Sequence, residues 1–314
     1  IAPDLVTSFD VEATRFVIGG ETGSDLVAEI NQNGALLSVE RLNMNLPFRS
    51  SLLATGTLDT SQDTPVLNGN FSTRSSDALA LLLWLGNQNN IDFSTFAEAL
   101  DQGTLQRASM VGDVLCDQNV LALKGLAGRL GDDYFSADVG LPDIAAWRGD
   151  VLFRISRFDL ADWGILETAT AGRERGIVGI LPQLDRLLAR ALSTTDANSD
   201  LDFDIQVGQV FAGAQSIGPL KAIGALSNQR LEIQNLRLAN FANSDVTLTG
   251  ALNYDAAPSH GSLSLAIQGD DAKWAYGPIG SRVGPLNFNG AVAAKMASDT
   301  VMTGPRSHHG PQVI

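Results

Sequence analysis

Cysteine is almost missing from this chain. Cys116 is the sole example in 314 residues, so no disulfide can close within it and a disulfide scaffold is excluded. Such usage suits the cytosol or a cysteine-avoiding bacterial periplasm. Cys116 sits in the apolar run Val114-Leu115-Cys116 and is expected to pack in a strand. Histidine is scarce too: His260 falls in a loop, His308 and His309 in the tail. No HExxH, CxxC, P-loop or G-x-S-x-G pattern occurs. Gly125-Leu126-Ala127-Gly128 is glycine-rich but is expected between strands, with no helix behind it to cradle a phosphate. Asp196 to Asp202 starts with calcium-loop spacing. It has Leu201 where the loop needs glycine and Val207 where it needs glutamate, so a solvated acidic loop is expected. These absences point to a non-enzymatic protein with no metal and no cofactor.

Positive charge is also in short supply. Against 35 acidic residues stand 21 basic ones, a formal net charge of −14 and a pI near 4.5. Nucleic-acid phosphates and anionic bilayers repel such a chain, so no nucleic-acid partner is expected. Long apolar runs are lacking as well. The longest, Ala78 to Leu85, is far short of the ~20 residues that span a bilayer. The chain opens on Ile1 without a signal-peptide pattern, and a piece of a longer protein is expected.

What is present is alternation. From Leu231 to Asp271, apolar residues recur at every second position: Val246, Leu248, Gly250 and Leu252, then Leu263, Leu265 and Ile267. That period puts one apolar row on one face of a strand. Leu231-Glu232-Ile233-Gln234-Asn235-Leu236 alternates with a slip at Asn235. Strands joined by short polar loops make an antiparallel meander with one apolar and one wet face.

The pattern occurs more than once, at a constant offset of 194 residues. Phe9-Asp10-Val11 returns as Phe203-Asp204-Ile205, Leu37 to Leu42 as Leu231 to Leu236, and Gly56 as Gly250. A shorter middle copy carries Leu121-Ala122-Leu123-Lys124-Gly125-Leu126, then Phe135, Ala137, Val139 and Leu141, then Val151, Phe153 and Ile155. Repetition implies stacked units that bury their edges on one another. The expected layout is a first β repeat at 4–86 closing in a short helix, a linker at 87–102 and a shorter middle repeat at 103–172. An amphipathic helix with an acidic loop follows at 173–201, then a last full repeat at 202–280. The start of a further repeat (281–296) and a disordered tail (297–314) complete the chain. Asp77 is placed as the N-cap of the short helix and Gly86 as its end. The helix is apolar nearly all round and is expected to plug the core or a sheet end. In the second helix Leu184, Leu187, Leu188 and Ala191 share a face flanked by Arg186 and Arg190, as for a helix covering a sheet.

So many apolar-faced strands with so few helices leave a surface beyond the few hundred Å² that soluble monomers expose. Either the sheet folds over as a sandwich or barrel, or it curls into a trough covered by something apolar. Acyl chains suit the trough, since each buried CH₂ contributes ~0.8 kcal/mol and needs no specific polar group. The lining residues of the first copy are Val11, Val39, Leu52, Leu58 and Phe71. The middle copy supplies Leu123, Phe135, Val139, Val151, Phe153 and Ile155. The last supplies Ile205, Ile233, Val246, Leu248, Leu252, Leu263, Leu265 and Ile267.

The L-x-φ-x-x-L hexamers (φ aliphatic) at Leu37, Leu121 and Leu231, with Gly56 and Gly250 at strand ends, carry a family resemblance. So do the strands Gly69-Asn70-Phe71, Gly149 to Phe153 and Gly261 to Leu265, running into Asp77, Asp159 and Asp271. Over residues 4–295 the pattern resembles the AsmA-like family of bacterial envelope proteins. These are relatives of TamB in the wider group of bridge-like, repeating β-groove lipid-transfer proteins. The resemblance implies an all-β, mainly antiparallel fold: a curved repeating groove, or open taco-like sheet, with a few short helices. It implies a periplasmic location, an inner-membrane anchor outside this chain, and phospholipid acyl chains conducted toward the outer membrane, with outer-membrane or periplasmic proteins as further partners. The alternative is an assembly scaffold or β-solenoid that binds partners by strand addition.

Overall fold

The hexamer that marks each copy is a strand with a bulge built into it. In the computed structural model, which describes residues 6–88, 107–144, 146–160, 199–212, 215–241, 244–254, 260–269, 286–288 and 292–296, the first copy folds as five strands. They are β1 Val6–Ile18, β2 Glu21–Asn33, β3 Leu36–Leu46, β4 Ser50–Asp59 and β5 Val66–Ser75. Helix α1, Ala78–Gln88, follows. The middle copy has four strands: β6 Ala108–Cys116, β7 Leu121–Leu130, β8 Asp133–Asp143 and β9 Arg148–Asp159. The last again has five: β10 Asp200–Ala212, β11 Gln215–Ser227, β12 Arg230–Phe241, β13 Ser244–Asn253 and β14 His260–Gly269. The 194-residue offset holds strand for strand, from Val6 to Asp200, Glu21 to Gln215, Ser50 to Ser244 and Val66 to His260. Among the described residues the middle copy has no counterpart of β1.

All these strands join one open, curved sheet in chain order, and it is antiparallel except at two places. β10 runs parallel to β9. β16, Val292–Met296, runs parallel to β14 and pairs on its far side with β15, Leu286–Phe288. The further repeat expected to start within 281–296 is thus represented by two short strands. Strands pack substantially only against their neighbours in the sheet, so the described strands close into neither a sandwich nor a barrel.

The bulges explain the hexamers. In β3, Val39 lies opposite Gly56 and Leu42 opposite Ala54. In β7, Leu123 meets Val139 and Leu126 meets Ala137. In β12, Ile233 meets Gly250 and Leu236 meets Leu248. Each time two residues oppose one on the partner strand, which adds local bend and twist. Gly125 is the left-handed residue of the β7 bulge, with φ 56°, and its freed N–H donates to Asp138 Oδ1 at 2.8 Å. The Gly125–Gly128 stretch expected between strands therefore lies inside β7.

Glycine opposite phenylalanine is a second recurring device. The Phe135 ring covers Gly128 and the Phe203 ring covers Gly224; a Cβ at either glycine would lie 2.8 Å or less from ring carbon.

Helix α1 is the one helix among the described residues. Ala80 N–H donates to Asp77 Oδ1 at 3.2 Å, which makes Asp77 its N-cap as expected. Gly86 does not end it: the helix continues to Gln88, with Gly86 buried. The reason is tertiary. Trp84 Nε1 and Gln88 Nε2 both donate to Gly19 O, at 3.4 and 3.2 Å, in the turn between β1 and β2. Trp84 also packs on Phe48, with ring centroids 6.4 Å apart, beside the β3–β4 turn. These contacts hold the last turn at one end of the sheet. Asp200 and Asp202, expected in an acidic loop, are strand residues of β10. The amphipathic helix at 173–192, most of the 87–102 linker and the 297–314 tail lie outside the described residues.

Candidate functional site: one apolar face

Residues paired across a ladder share a face, so the register can be followed from strand to strand. One row starts at Val11 and passes through Ala28, Leu42, Ala54 and Phe71. It crosses Gly112, which lies against Leu126, then runs through Ala137, Phe153 and Ile205. It ends through Ala222, Leu236, Leu248 and Leu265. The three bulges keep this row unbroken across fourteen strands.

Two flanking rows lie on the same face. One holds Val39, Gly56, Gly69, Val114, Leu123, Val139 and Val151, then Phe203, Gly224, Ile233, Gly250 and Leu263. On its other side run Leu52, Thr73, Met110, Gly128, Phe135 and Ile155, then Val207, Leu220, Leu238, Val246 and Ile267. A further row carries Leu58 in the first copy and Leu252 in the last. All nineteen lining residues read from the sequence therefore fall on one face, Leu265 and Ile267 by register alone. The sequence reading passed over Ala28, Ala54 and Ala222, and left Ala137 out of the lining although it names it in the alternating run, since alanine carries little hydrophobic signal. It also passed over Leu42, Leu126 and Leu236, each of which stands beyond a bulge where simple alternation assigns the wrong side.

Burial is graded along this face. At the β1 end Phe9 is 44% exposed and Val11 42%. Val39, Leu52, Leu58, Phe71 and Leu123 are half-buried. Toward β14, Val246 falls to 3% and Leu263 to 4%. Two apolar clusters occupy that half. One gathers Leu226, Leu231, Ile233, Leu248, Leu252 and Leu263. The other gathers Ile155, Leu160, Val207, Val210 and Ile217.

The opposite face carries the charged pairs, though Leu53, Val111 and Leu115 also stand exposed on it. Arg41 pairs with Glu29 at 3.7 Å and Lys221 with Asp204 at 3.8 Å. Arg237 meets Asp245 at 2.6 Å. Asp245 also accepts from Asn240 N–H at 3.1 Å. The Arg237 guanidinium, and then this amide, hold its carboxyl below the usual carboxylate range.

Among the described residues no group of three or more His, Cys, Asp or Glu side chains is placed to hold a metal. No helix among them is long and apolar enough to cross a membrane. The chemistry this face offers is extended apolar contact. Comparison with family models, with characterised proteins and with solved structures gives no match to this chain.

Proposed function

We propose that the apolar face binds lipid acyl chains and that the protein is a non-enzymatic lipid-binding or lipid-transfer element. The observation that carries this reading is one face-wide register, a central apolar row across fourteen strands flanked by two shorter rows on the same face, with no second layer among the described strands. A row of aliphatic side chains takes up acyl chains through area alone, at ~0.8 kcal/mol for each CH₂ removed from water. The more open end, with Val11 exposed and Val39, Leu52 and Phe71 half-buried, is where chains would enter. The sequence pattern suggests the AsmA-like setting: the periplasm, an inner-membrane anchor outside this chain, and phospholipid moving toward the outer membrane to support its biogenesis.

Lipid extraction and native mass spectrometry of the full chain, purified in mild detergent, test this. Co-purified phospholipid that falls in a folded Val11→Asp/Val39→Asp variant is the expected result. A lipid-free, monodisperse protein with a cooperative melt would sink the reading.

A second reading rests on β1. Within the described sheet β1 pairs only with β2, which leaves a thirteen-residue edge containing neither proline nor lysine. Such an edge suits strand addition by a partner protein. Replacing Asp10, which alternates with Val11 on β1, by proline would abolish partner capture on this reading and leave lipid content unchanged.

A further inference from the structure

A concavity of about 720 Å³ lies over β8 to β12, lined mostly by residues of the polar face, with Phe135, Ile155, Val207 and Leu220 of the apolar rows also bordering it. Its floor is a row of small side chains and one ring, Ser156, Gly208, Pro219 and Ala239, on four consecutive strands from β9 to β12. Its wall is the adjacent row on the same strands: Arg154, Gln206, Lys221 and Arg237. Tyr134 and Ser136 of β8 close one side. The Arg129 guanidinium stacks on the Tyr134 ring at 4.9 Å.

This wall is anomalous in two ways. Lys221 and Arg237 stand directly opposite each other on β11 and β12, an arrangement that destabilises a sheet when nothing anionic lies between the charges. The chain also has 35 acidic residues to 21 basic ones, so three cations in one row run against its composition. Carboxylates answer this wall unevenly, closely at Arg237 and only at long range at Lys221. Lys221 reaches Asp204 at 3.8 Å, Arg129 reaches Asp132 at 3.6 Å, and Arg237 is held by Asp245 at 2.6 Å. Arg154 donates through Nε to Gln206 Oε1 at 3.3 Å, and no described carboxylate lies within 4.0 Å of it.

We infer that this concavity binds a phosphate-bearing ligand. A phosphate group carries close to two negative charges and several acceptor oxygens, and it can take guanidinium and ammonium donors from different strands together. A single carboxylate satisfies fewer of them. The hydroxyls of Ser136, Ser156 and Tyr134 stand around the cations as neutral donors for the rest of such a ligand. The small floor leaves room for it. The phosphate arrives either on a soluble ester or on a lipid headgroup, and the cationic wall lies on the face opposite the acyl-binding rows.

Titration calorimetry of the full chain with glycerol phosphate, and flotation with phosphatidylcholine vesicles with and without phosphatidic acid, test the site. Saturable binding is expected, weakened at least about tenfold by Arg154→Ala with Lys221→Ala, as loss of charge-assisted hydrogen bonds requires. The melting temperature should hold, since both side chains are exposed. Arg41→Ala, on the same face but outside the concavity, should leave binding intact. Binding of the free ester identifies a soluble source. Binding confined to phosphatidic-acid vesicles, and lost in the double variant, identifies a headgroup. The inference fails if neither probe binds up to about 10 mM phosphate, if the double variant binds as well as the parent, or if polyglutamate binds equally well.

Discussion

Ile233 and Leu236 lie three residues apart yet present their side chains to the same face of β12, opposite Gly250 and Leu248. The two residues between them absorb the mismatch as a bulge. The same device stands in β3 and β7, so each copy keeps its apolar row by spending one extra residue at one place.

Deleting residues from this bulge separates spacing from composition. Removing Asn235 alone leaves Ile233 and Leu236 two apart, on one face by plain alternation. A folded protein with a small change in melting temperature is expected. Removing Gln234 and Asn235 together makes them adjacent. Leu236 and Leu238 then turn to the polar face and Arg237 to the apolar one. Each half-buried leucine so exposed costs roughly 1–2 kcal/mol, and the desolvated arginine adds to it. Thermal melts followed by circular dichroism should rank the double deletion far below the single one.

The gradient of burial sets a second expectation. Leu248 is 8% exposed within the cluster that holds Leu252 and Leu263, so Leu248→Ala should cost about 2–5 kcal/mol. Val11 is open to solvent, and Val11→Ala should stay within about 0.5 kcal/mol. Urea midpoints of the two variants check this. Equal losses would mean that the β1 end is covered in solution.

Glycines on the sheet should differ sharply from glycines in its turns. Gly250 has φ 135°, and a Cβ there would stand 2.1 Å from Ser262 O and 2.9 Å from Leu263 Cα. Both obstacles are backbone and cannot move aside, so Gly250→Ala should cost about 1–3 kcal/mol or more. Gly34, in the β2–β3 turn, has φ 58° with open space around it. Gly34→Ala should cost only the left-handed penalty of about 1–2 kcal/mol. The difference in urea midpoint between the two variants is the readout.

Asp245 gives a pH expectation. Its carboxyl in the folded protein titrates below the ordinary value of 3.8, chiefly because Arg237 hydrogen-bonds it. Its contribution is therefore fully present above the unfolded value and is lost as pH falls through the lowered one. Asp245→Asn should lower the melting temperature slightly at neutral pH, and the gap should close as pH drops below the ordinary value. The group is exposed, so the effect is small and should shrink further in high salt. A gap that persists in strong acid would point to lost packing instead.

The strands themselves were legible because alternation and repetition reinforce each other. A residue such as Val246 is apolar, is spaced by two from Leu248, and has a counterpart in Leu52. What alternation could not supply was the side taken after a slip, so Leu42, Leu126 and Leu236 were placed only by the ladder register. Alanine was invisible for a different reason. Ala54 faces Phe71 and Ala137 faces Phe153, pairs in which the small partner matters through the space it leaves. The extent of α1 was misjudged at Gly86 because Gly19, far away in sequence, holds the final turn. The cationic row was hidden as well. Arg154, Lys221 and Arg237 are scattered along the chain and become neighbours only through the pairing of β9 to β12.

The uneven length of the copies has a topological cost. An odd number of antiparallel strands delivers the chain to the opposite rim of the sheet, whereas an even number returns it to the rim it came from. The middle copy, with four described strands, enters and leaves on one side, so β6 follows β5 with antiparallel pairing. The last copy has five and must begin at the other rim. Its first strand therefore lies parallel to β9, so that Asp200 starts beside Arg148, a strand's length from Asp159. Counting strands in each copy thus tells where such a protein can pass from unit to unit through a turn and where it must carry a long connection.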